Sequence, residues 1–448
     1  SVGCNTIASE RHGSIRRIMS RYNGAVNGYF ICDRCRFGYE FVNDEKRIKT
    51  VQIRSKKNDS LVMAENEQIL SSLDQSFSKN KNIIGIGSPR ASLESNFALM
   101  SLVGKENFFH GISKKEYLLT MTITEFLQNS GVCTPSLKQI EKADAILVLG
   151  EDLTNTAPMI ALALRQSVRN VPNKEANAKG IPLWNDVPVR ELAQDVRSPV
   201  FIATPFTDSL DETAEDVFRA APQDIAVLGN TVAQNLDNKA TVAKNDRKVI
   251  QKLAGKIALS LKSAKNPLII SGISCGDMAI VHAALNIVYS LLSNGSNVML
   301  SMVLPECNSM GLSLLPGKSF EDAFGLVENK EIDTLVILEN DLYRRASEDA
   351  INELFKKSGR IIVLDHLSNK TTQNADILIP AATFAESEGT MVNNEGRAQR
   401  YYKSIDSKNQ IKESWCWIAD IIKVRDTDHS VSWNRLDDIM GSMANELA

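Results

Sequence analysis

Cys4 and Cys32 are separated by 27 residues, and Cys35 follows three positions later. All three lie in a stretch studded with Arg11, Arg16, Arg17, Arg21, Arg34, Arg36 and Arg47 and with Gly3, Gly13, Gly24, Gly28 and Gly38, and helical periodicity is weak there. A small unit without a large apolar core can fold around a metal or cluster, because thiolate ligation supplies free energy that burial does not. A single C-x2-C pair, Cys32 to Cys35, fits that chemistry and equally fits unrelated buried thiols. Seven irregularly spaced cysteines in 448 residues speak against a disulfide framework and for a reducing compartment.

Polar residues that follow apolar runs form the second set. Gly87-Ser88-Pro89-Arg90 follows Ile83–Ile86, and Ser88 with Pro89 predicts a helix N-terminus whose free N–H groups could receive a phosphate. Gly85-x-Gly87 lacks the third glycine of a dinucleotide fingerprint, so a plain cap is the competing reading. Glu151 and Asp152, Glu339 and Asp341, and Asp365 each stand just past a predicted strand, where open α/β sheets bind ligands. Acids there repel phosphate, accept hydrogen bonds from hydroxyls, or simply face solvent beside helix N-termini. No serine or cysteine is spaced to make a nucleophile with His366 beside Asp365. Residues 375–399 gather Glu386, Glu388, Asn393, Asn394, Glu395 and Arg397 around Gly389 and Gly396, which suits a close-approach loop or a buried polar network.

The elements that must position these residues are legible as short apolar runs alternating with amphipathic stretches from about residue 82 onward. Strands are predicted at Ile83–Ile86, Ala145–Leu149, Val200–Ala203, Pro267–Ile270, Val298–Val303, Thr334–Leu338 and Ile361–Leu364. That alternation predicts βα units and parallel sheets, and the strand number suits two doubly wound domains. Residues 171–180 and 235–246 read as surface connections. Met278–Leu292 reads as a buried helix, too short to span a bilayer. With 51 basic and 54 acidic residues, a net charge of -3 and 43% hydrophobic residues, the composition is that of a globular chain without a global field for nucleic acid.

Residues 375–399 resemble the molybdopterin oxidoreductase superfamily, which carries A-D-x-x-L-P-A-x-x-x-E-x-E-G-T-x-x-N-x-E-G-R-x-Q. Ala375, Asp376, Pro380, Glu386, Glu388, Gly389, Thr390, Asn393 or Asn394, Glu395, Gly396, Arg397 and Gln399 match it. The blocks 87–100 and 143–158 are similar to further blocks of the same superfamily. Within it, Arg21-Tyr-Asn-Gly24, Cys32-Asp-Arg34, Arg36-Phe-Gly-Tyr39, the run 90–98 and Thr134-Pro-Ser-Leu137 resemble the family of large iron–sulfur subunits, the G subunits, of bacterial NADH-quinone oxidoreductase (complex I).

The resemblance implies an α/β fold of two doubly wound parallel-sheet domains with a small N-terminal iron–sulfur unit. Residues 1–52 would be the remnant of that unit, 53–130 plus 303–405 the first α/β domain, 131–302 an inserted second, and 406–448 a C-terminal segment. Family members bind a [4Fe–4S] cluster through C-x2-C-x3-C and a fourth cysteine. Cys4 and Cys32 match the last two ligands, and the start at Ser1 then reads as falling inside that motif. Cys35 stands where the family has glycine and is expected to be idle. The family's pterin cleft maps onto Ser88, Arg90, Glu151, Asp152, Glu388, Asn394 and Arg397.

Molybdenum-dependent relatives carry lysine where Arg34 stands, so molybdopterin is not expected, and no residue is expected to do acid–base or nucleophilic catalysis. The implied function is electron transfer from NADH toward quinone and bracing of the peripheral arm. The implied partners are other peripheral-arm subunits, at the cytoplasmic face of the bacterial inner membrane, without membrane insertion or nucleic acid. The competing functions are a molybdenum enzyme of formate dehydrogenase type, with Cys133 as metal ligand, and a purely structural interaction module.

Overall fold

A computed structural model of the chain describes residues 2–55, 59–77, 82–237, 247–329, 332–425 and 431–447. The chain opens with an antiparallel hairpin, β1 (Thr6–Arg11) and β2 (Ser14–Ser20), and a short helix, Asp33–Phe37. Two short strands, β3 (Gln52–Arg54) and β4 (Leu61–Met63), lead to β5 (Ile83–Ile86) and β6 (Phe108–Phe109). Then come β7 (Ala145–Leu149), β8 (Val200–Ala203), β9 (Asp216–Phe218), β10 (Pro267–Gly272) and β11 (Met299–Val303). The chain continues through β12 (Ile332–Leu338), β13 (Ser358–Asp365) and β14 (Ile377–Pro380) to a closing hairpin, β15 (Gly389–Val392) and β16 (Ala398–Tyr401).

These strands assemble two large sheets. One has seven strands in the order β4-β3-β14-β13-β12-β5-β6, and the other has five in the order β11-β10-β7-β8-β9. The five-stranded sheet is parallel throughout. The larger sheet is parallel from β14 to β6, with β3 and β4 added antiparallel at one edge. All strands of the smaller sheet lie in the sequence between β6 and β12, so that sheet is inserted into the chain path of the larger one. Parallel strands are covered on both faces, which is why β5, β7, β8, β10 and β11 are buried at every position. Each of the seven strands predicted from apolar runs is present, with β12 and β13 extended by a few residues.

Strand order locates the crevices. In the larger sheet the chain passes from β5 to β6 on one side and then returns to β12 on the other, so the order reverses between β5 and β12. In the smaller sheet it reverses between β7 and β10. Ligands of open α/β sheets bind at such points, beyond the carboxyl ends of the strands.

Two sequence readings need correction, and a third lies mostly outside the described residues. Residues 171–180 are not a connection: Asn170–Ala178 is a helix. Pro172 is tolerated in its first turn, where no intrahelical N–H bond is lost, and Pro172 and Ala176 are buried. Ser88 does not cap a helix. The helix starts at Leu93, and its cap is Ser92, whose Oγ accepts from the Ser95 N–H at 3.1 Å. The expected connection at 235–246 lies mostly outside the described residues; Asn235 and Leu236 close the helix Pro222–Leu236.

The helix Leu93–Val103 carries the packing between layers. Phe97 and Leu99 are fully buried, worth roughly 1.5–3 kcal/mol each. The C-terminal helices Ser414–Arg425 and Leu436–Leu447 pack against this helix, and Trp433 stands 5.9 Å from Phe97, ring centre to ring centre. Met278–Ser293 is a helix with Val281, Ala284, Ile287 and Val288 fully buried. Among the described residues, no helix is long and apolar enough to cross a membrane.

Candidate functional site: a thiol cluster and two acid-lined switch points

The N-terminal hairpin and the helix Asp33–Phe37 bring three thiols together. Cys32 Sγ lies 3.5 Å from Cys35 Sγ, and Cys35 in turn hydrogen-bonds Cys4. Cys35, expected to be idle, is therefore the middle member of the group. The bond from Cys35, which outweighs burial, holds the Cys4 thiol below its ordinary range. The bond to Cys35, with burial, pushes Cys32 far up. At Cys35, donation from Cys32 lowers the thiol, but the bond to Cys4 and burial prevail and raise it to about 11. The donor set suits iron–sulfur chemistry, since thiolates are the ligands of such clusters. Among the described residues no group of three or more His, Cys, Asp or Glu could hold a metal ion, so the thiols here are part of a ligand set and not a complete one.

Arg34 turns away from the thiols, and its Nη2 donates to the Asn155 carbonyl at 3.0 Å, docking this unit on the five-stranded layer. Arg47 docks it on the other layer. Its Nη2 meets Glu386 Oε2 at 2.6 Å with both side chains buried, and its Nε donates to the His366 carbonyl at 3.0 Å.

The β5/β12 switch point opens into a cleft of about 390 Å³ lined by Arg90, Glu339, His366, Glu388, Tyr401 and Glu413 among others. Ser88 Oγ donates to the Glu339 carbonyl at 2.9 Å, and Arg90 Nη2 reaches the same oxygen at 3.3 Å. Glu339 has φ 44°, a left-handed conformation that costs a non-glycine residue of the order of 1–3 kcal/mol. Burial, with the nearby Asp365, pushes its carboxyl up to about 7 against the bond from Ser414 Oγ and the charge of Arg90. Burial also holds His366 below the ordinary imidazole range. Glu388 on the cleft wall is paired with Arg400 at 2.9 Å.

The β7/β10 switch point holds a second cleft of about 280 Å³, lined by Lys115, Glu116, Glu151, Thr156 and Ser274 among others. Glu151 is 2% exposed. It accepts from Ser274 Oγ, from the Ser274 N–H at 3.3 Å and from Thr156 Oγ1 at 2.7 Å, yet burial still raises its carboxyl above the ordinary range. Asp152 caps the short helix Leu153–Thr156 instead of facing the cleft, accepting from the Asn155 N–H at 3.2 Å.

The remaining expected cleft residues lie elsewhere. Asn394 is buried beside Ser301 of β11, 3.4 Å away, and its Oδ1 has no partner. Arg397 is exposed on the β15–β16 turn, paired with Glu395 and lining a separate hollow with Thr134 and Ser136. Cys133 borders β11, its carbonyl accepting from the Leu300 N–H at 3.0 Å, and does not line the cleft at β5/β12.

A dinucleotide pyrophosphate needs N–H donors and cations. The first cleft offers Arg90 against Glu339, Glu388 and Glu413, and the second offers Lys115 against Glu116 and Glu151. Burial raises Glu339, Glu151 and Glu116, and Arg400 already meets Glu388, so what weighs against an anionic pterin dinucleotide is the shortage of cations: one in each cleft, with Arg90 itself 3.6 Å from Glu306.

Residues 213–424 match the family model of the molybdopterin oxidoreductases. Over 448 residues the chain is 39% identical to the G subunit of NADH-quinone oxidoreductase from Salmonella typhimurium (strain LT2), covering 99% of this chain and 49% of that one. It is 38% identical over 452 residues to the G subunit of NADH-quinone oxidoreductase from Escherichia coli (strain K12), covering 100% and 49%. The chain thus spans about half the length of the curated relatives it matches. Among solved structures, acetylene hydratase from Pelobacter acetylenicus superposes with a TM-score of 0.62 at 10% identity, covering 98% of this chain and 70% of that one. The formyltransferase/hydrolase complex FhcABCD from Methylorubrum extorquens gives 0.55 at 10% identity, covering 88% and 100%. At such identities the likeness concerns the fold alone. Family model and identity agree in what the chain is similar to: residues 213–424 match the molybdopterin oxidoreductases, and nearly the whole of this chain is similar to about half of the G subunit of NADH-quinone oxidoreductase.

Proposed function

We propose that this chain is the part of a complex I large iron–sulfur subunit that carries one iron–sulfur centre on a molybdopterin-type scaffold whose pterin sites have been lost. The observation that carries the reading is the pairing of a converged thiol group, Cys4 with Cys32 and Cys35, with switch-point clefts that hold more acid than base. Cys4 and Cys32 would ligate a [4Fe–4S] cluster, and the cluster supplies one-electron transfer when bound. This chain's residues hold the thiols and exclude a competing anionic cofactor. In the whole subunit the activity served is electron transfer from NADH toward quinone. The partners are other peripheral-arm subunits, and the place is the cytoplasmic face of the bacterial inner membrane, without direct insertion. Residues 1–52, 53–130 plus 303–405, 131–302 and 406–448 are the proposed divisions of the scaffold.

The position of Cys133 outside the main cleft weighs against the molybdenum-enzyme reading. The test is low-temperature EPR of the full-length subunit, reduced, with Cys4→Ser and Cys32→Ser. Each variant should lose one [4Fe–4S] signal. Retention of every signal in both variants contradicts the assignment and leaves the scaffold-only reading.

A further inference from the structure

The hairpin β15–β16, at the heart of the family signature, points its polar side chains at the segment that bears Cys4. Asn393 Nδ2 donates to the Val2 carbonyl at 2.8 Å, and Gln399 Nε2 donates to the Gly3 carbonyl at 2.8 Å. Gln399 Oε1 accepts from Asn5 Nδ2 at 3.0 Å. Cys4 is thus flanked on both sides by residues tied to this hairpin. The approach is close at position 3, where the backbone conformation favours glycine. Gly3 has φ +78°, and an added Cβ would run into Gln399 Nε2.

The network continues to the second thiol. The Asn5 N–H donates to Asn27 Oδ1 at 2.8 Å, and Asn27 Nδ2 donates to the Phe30 carbonyl at 3.0 Å, two residues before Cys32. Asn27 is 3% exposed. A buried amide that satisfies its oxygen on one thiol-bearing segment and its nitrogen on the other fixes their separation. At metal sites built from histidine and carboxylate, loss of the outer hydrogen bonds that orient the ligands typically costs 10–100-fold in metal affinity, and bonds that orient the segments on either side of a cysteine act in the same sense.

We propose that Gln399, Asn393 and Asn27 are positioning residues that set the geometry of Cys4 relative to Cys32 for the iron–sulfur centre; this rests on the ligand assignment above. The signature hairpin, on this account, serves the thiol cluster and not the cleft at β5/β12. The test uses the full-length subunit in its assembled complex, with EPR of the reduced cluster and the rate of iron loss to a chelator as readouts. Gln399→Leu should lose cluster iron about tenfold faster than wild type and alter the line shape. Gln399→Glu, which keeps the acceptor for Asn5, should fall between the two. Wild-type rate and line shape in Gln399→Leu, while Cys4→Ser and Cys32→Ser abolish the signal, overturn the proposal. If instead the cysteine variants keep every signal, the ligand assignment fails, and the proposal falls with it. Should Gln399→Leu not accumulate, Gln399→Glu decides alone: faster iron loss supports the proposal and a wild-type rate overturns it.

Discussion

The two switch points solve one problem in different ways. Each places a glutamate immediately past a central strand, where the superfamily fold offers a crevice, and each holds that carboxyl above its ordinary range by burial. Glu151 after β7 is satisfied from within its own layer, by Ser274 and Thr156. Glu339 after β12 has a strained backbone, and its side-chain donor, Ser414, comes from the C-terminal helix Ser414–Arg425. The difference teaches that one crevice is closed by its own loops, whereas the other is conditioned by a segment that follows the sheet in sequence.

The largest expected effect is at the self-contained site. Glu151→Leu removes three hydrogen bonds to a buried carboxyl, leaving Thr156 Oγ1 to the Asp152 carbonyl and the exposed Ser274 to water, a loss of about 2–3 kcal/mol, readable as a lowered denaturation midpoint. An unchanged midpoint would show that water already serves those donors and that the two sites differ less than described.

Glu339→Gln comes next, with the opposite sign. The folded carboxyl titrates near 7, above the ordinary carboxylate range, so the unfolded chain gives up the proton first. Stability is unaffected below both values, falls as pH rises between about 4.5 and 7, and stays lowered above that. The neutral amide removes this penalty. It should stabilise the protein by up to about 3 kcal/mol at pH 8 and leave it unchanged at pH 4. Equal effects at both pH values would place the carboxyl in solvent.

Ser414→Ala is the smallest. It deprives the ionised Glu339 of its donor and should cost about 1–2 kcal/mol at pH 8, with less effect at pH 4, measured by the same denaturation curves. A cost that does not change with pH would separate Ser414 from Glu339.

Much of this architecture was legible because buried parallel strands leave unbroken apolar runs, as at Ala145–Leu149 and Thr334–Leu338. The acids past those strands were legible too. Short strands at the sheet margins were not: β3, β4 and β9 are three residues each and largely half-buried or exposed, so no run marks them. Asn170–Ala178 was hidden because its stability comes from packing and from Asn170 donating to the carbonyls of Glu141 and Ala143, neither of which local propensity records.

Asn394 and Arg397 illustrate the limit on the site. Their motif position suggested a cleft, but the turn after β15 carries them away from it while turning Asn393 and Gln399 toward Cys4. A motif fixes which residues occur together, not which way a hairpin presents them. The joining of Cys35 to the thiol group had a signal, the C-x2-C spacing, that the family's glycine at that position obscured.

The central claim, a retained iron–sulfur centre on a scaffold that excludes the pterin, is tested most directly by elemental analysis of iron and molybdenum in one preparation of the full-length subunit. The account predicts iron that falls by one cluster's worth in Cys4→Ser, with no molybdenum above background. Stoichiometric molybdenum, or iron unchanged in Cys4→Ser, contradicts it.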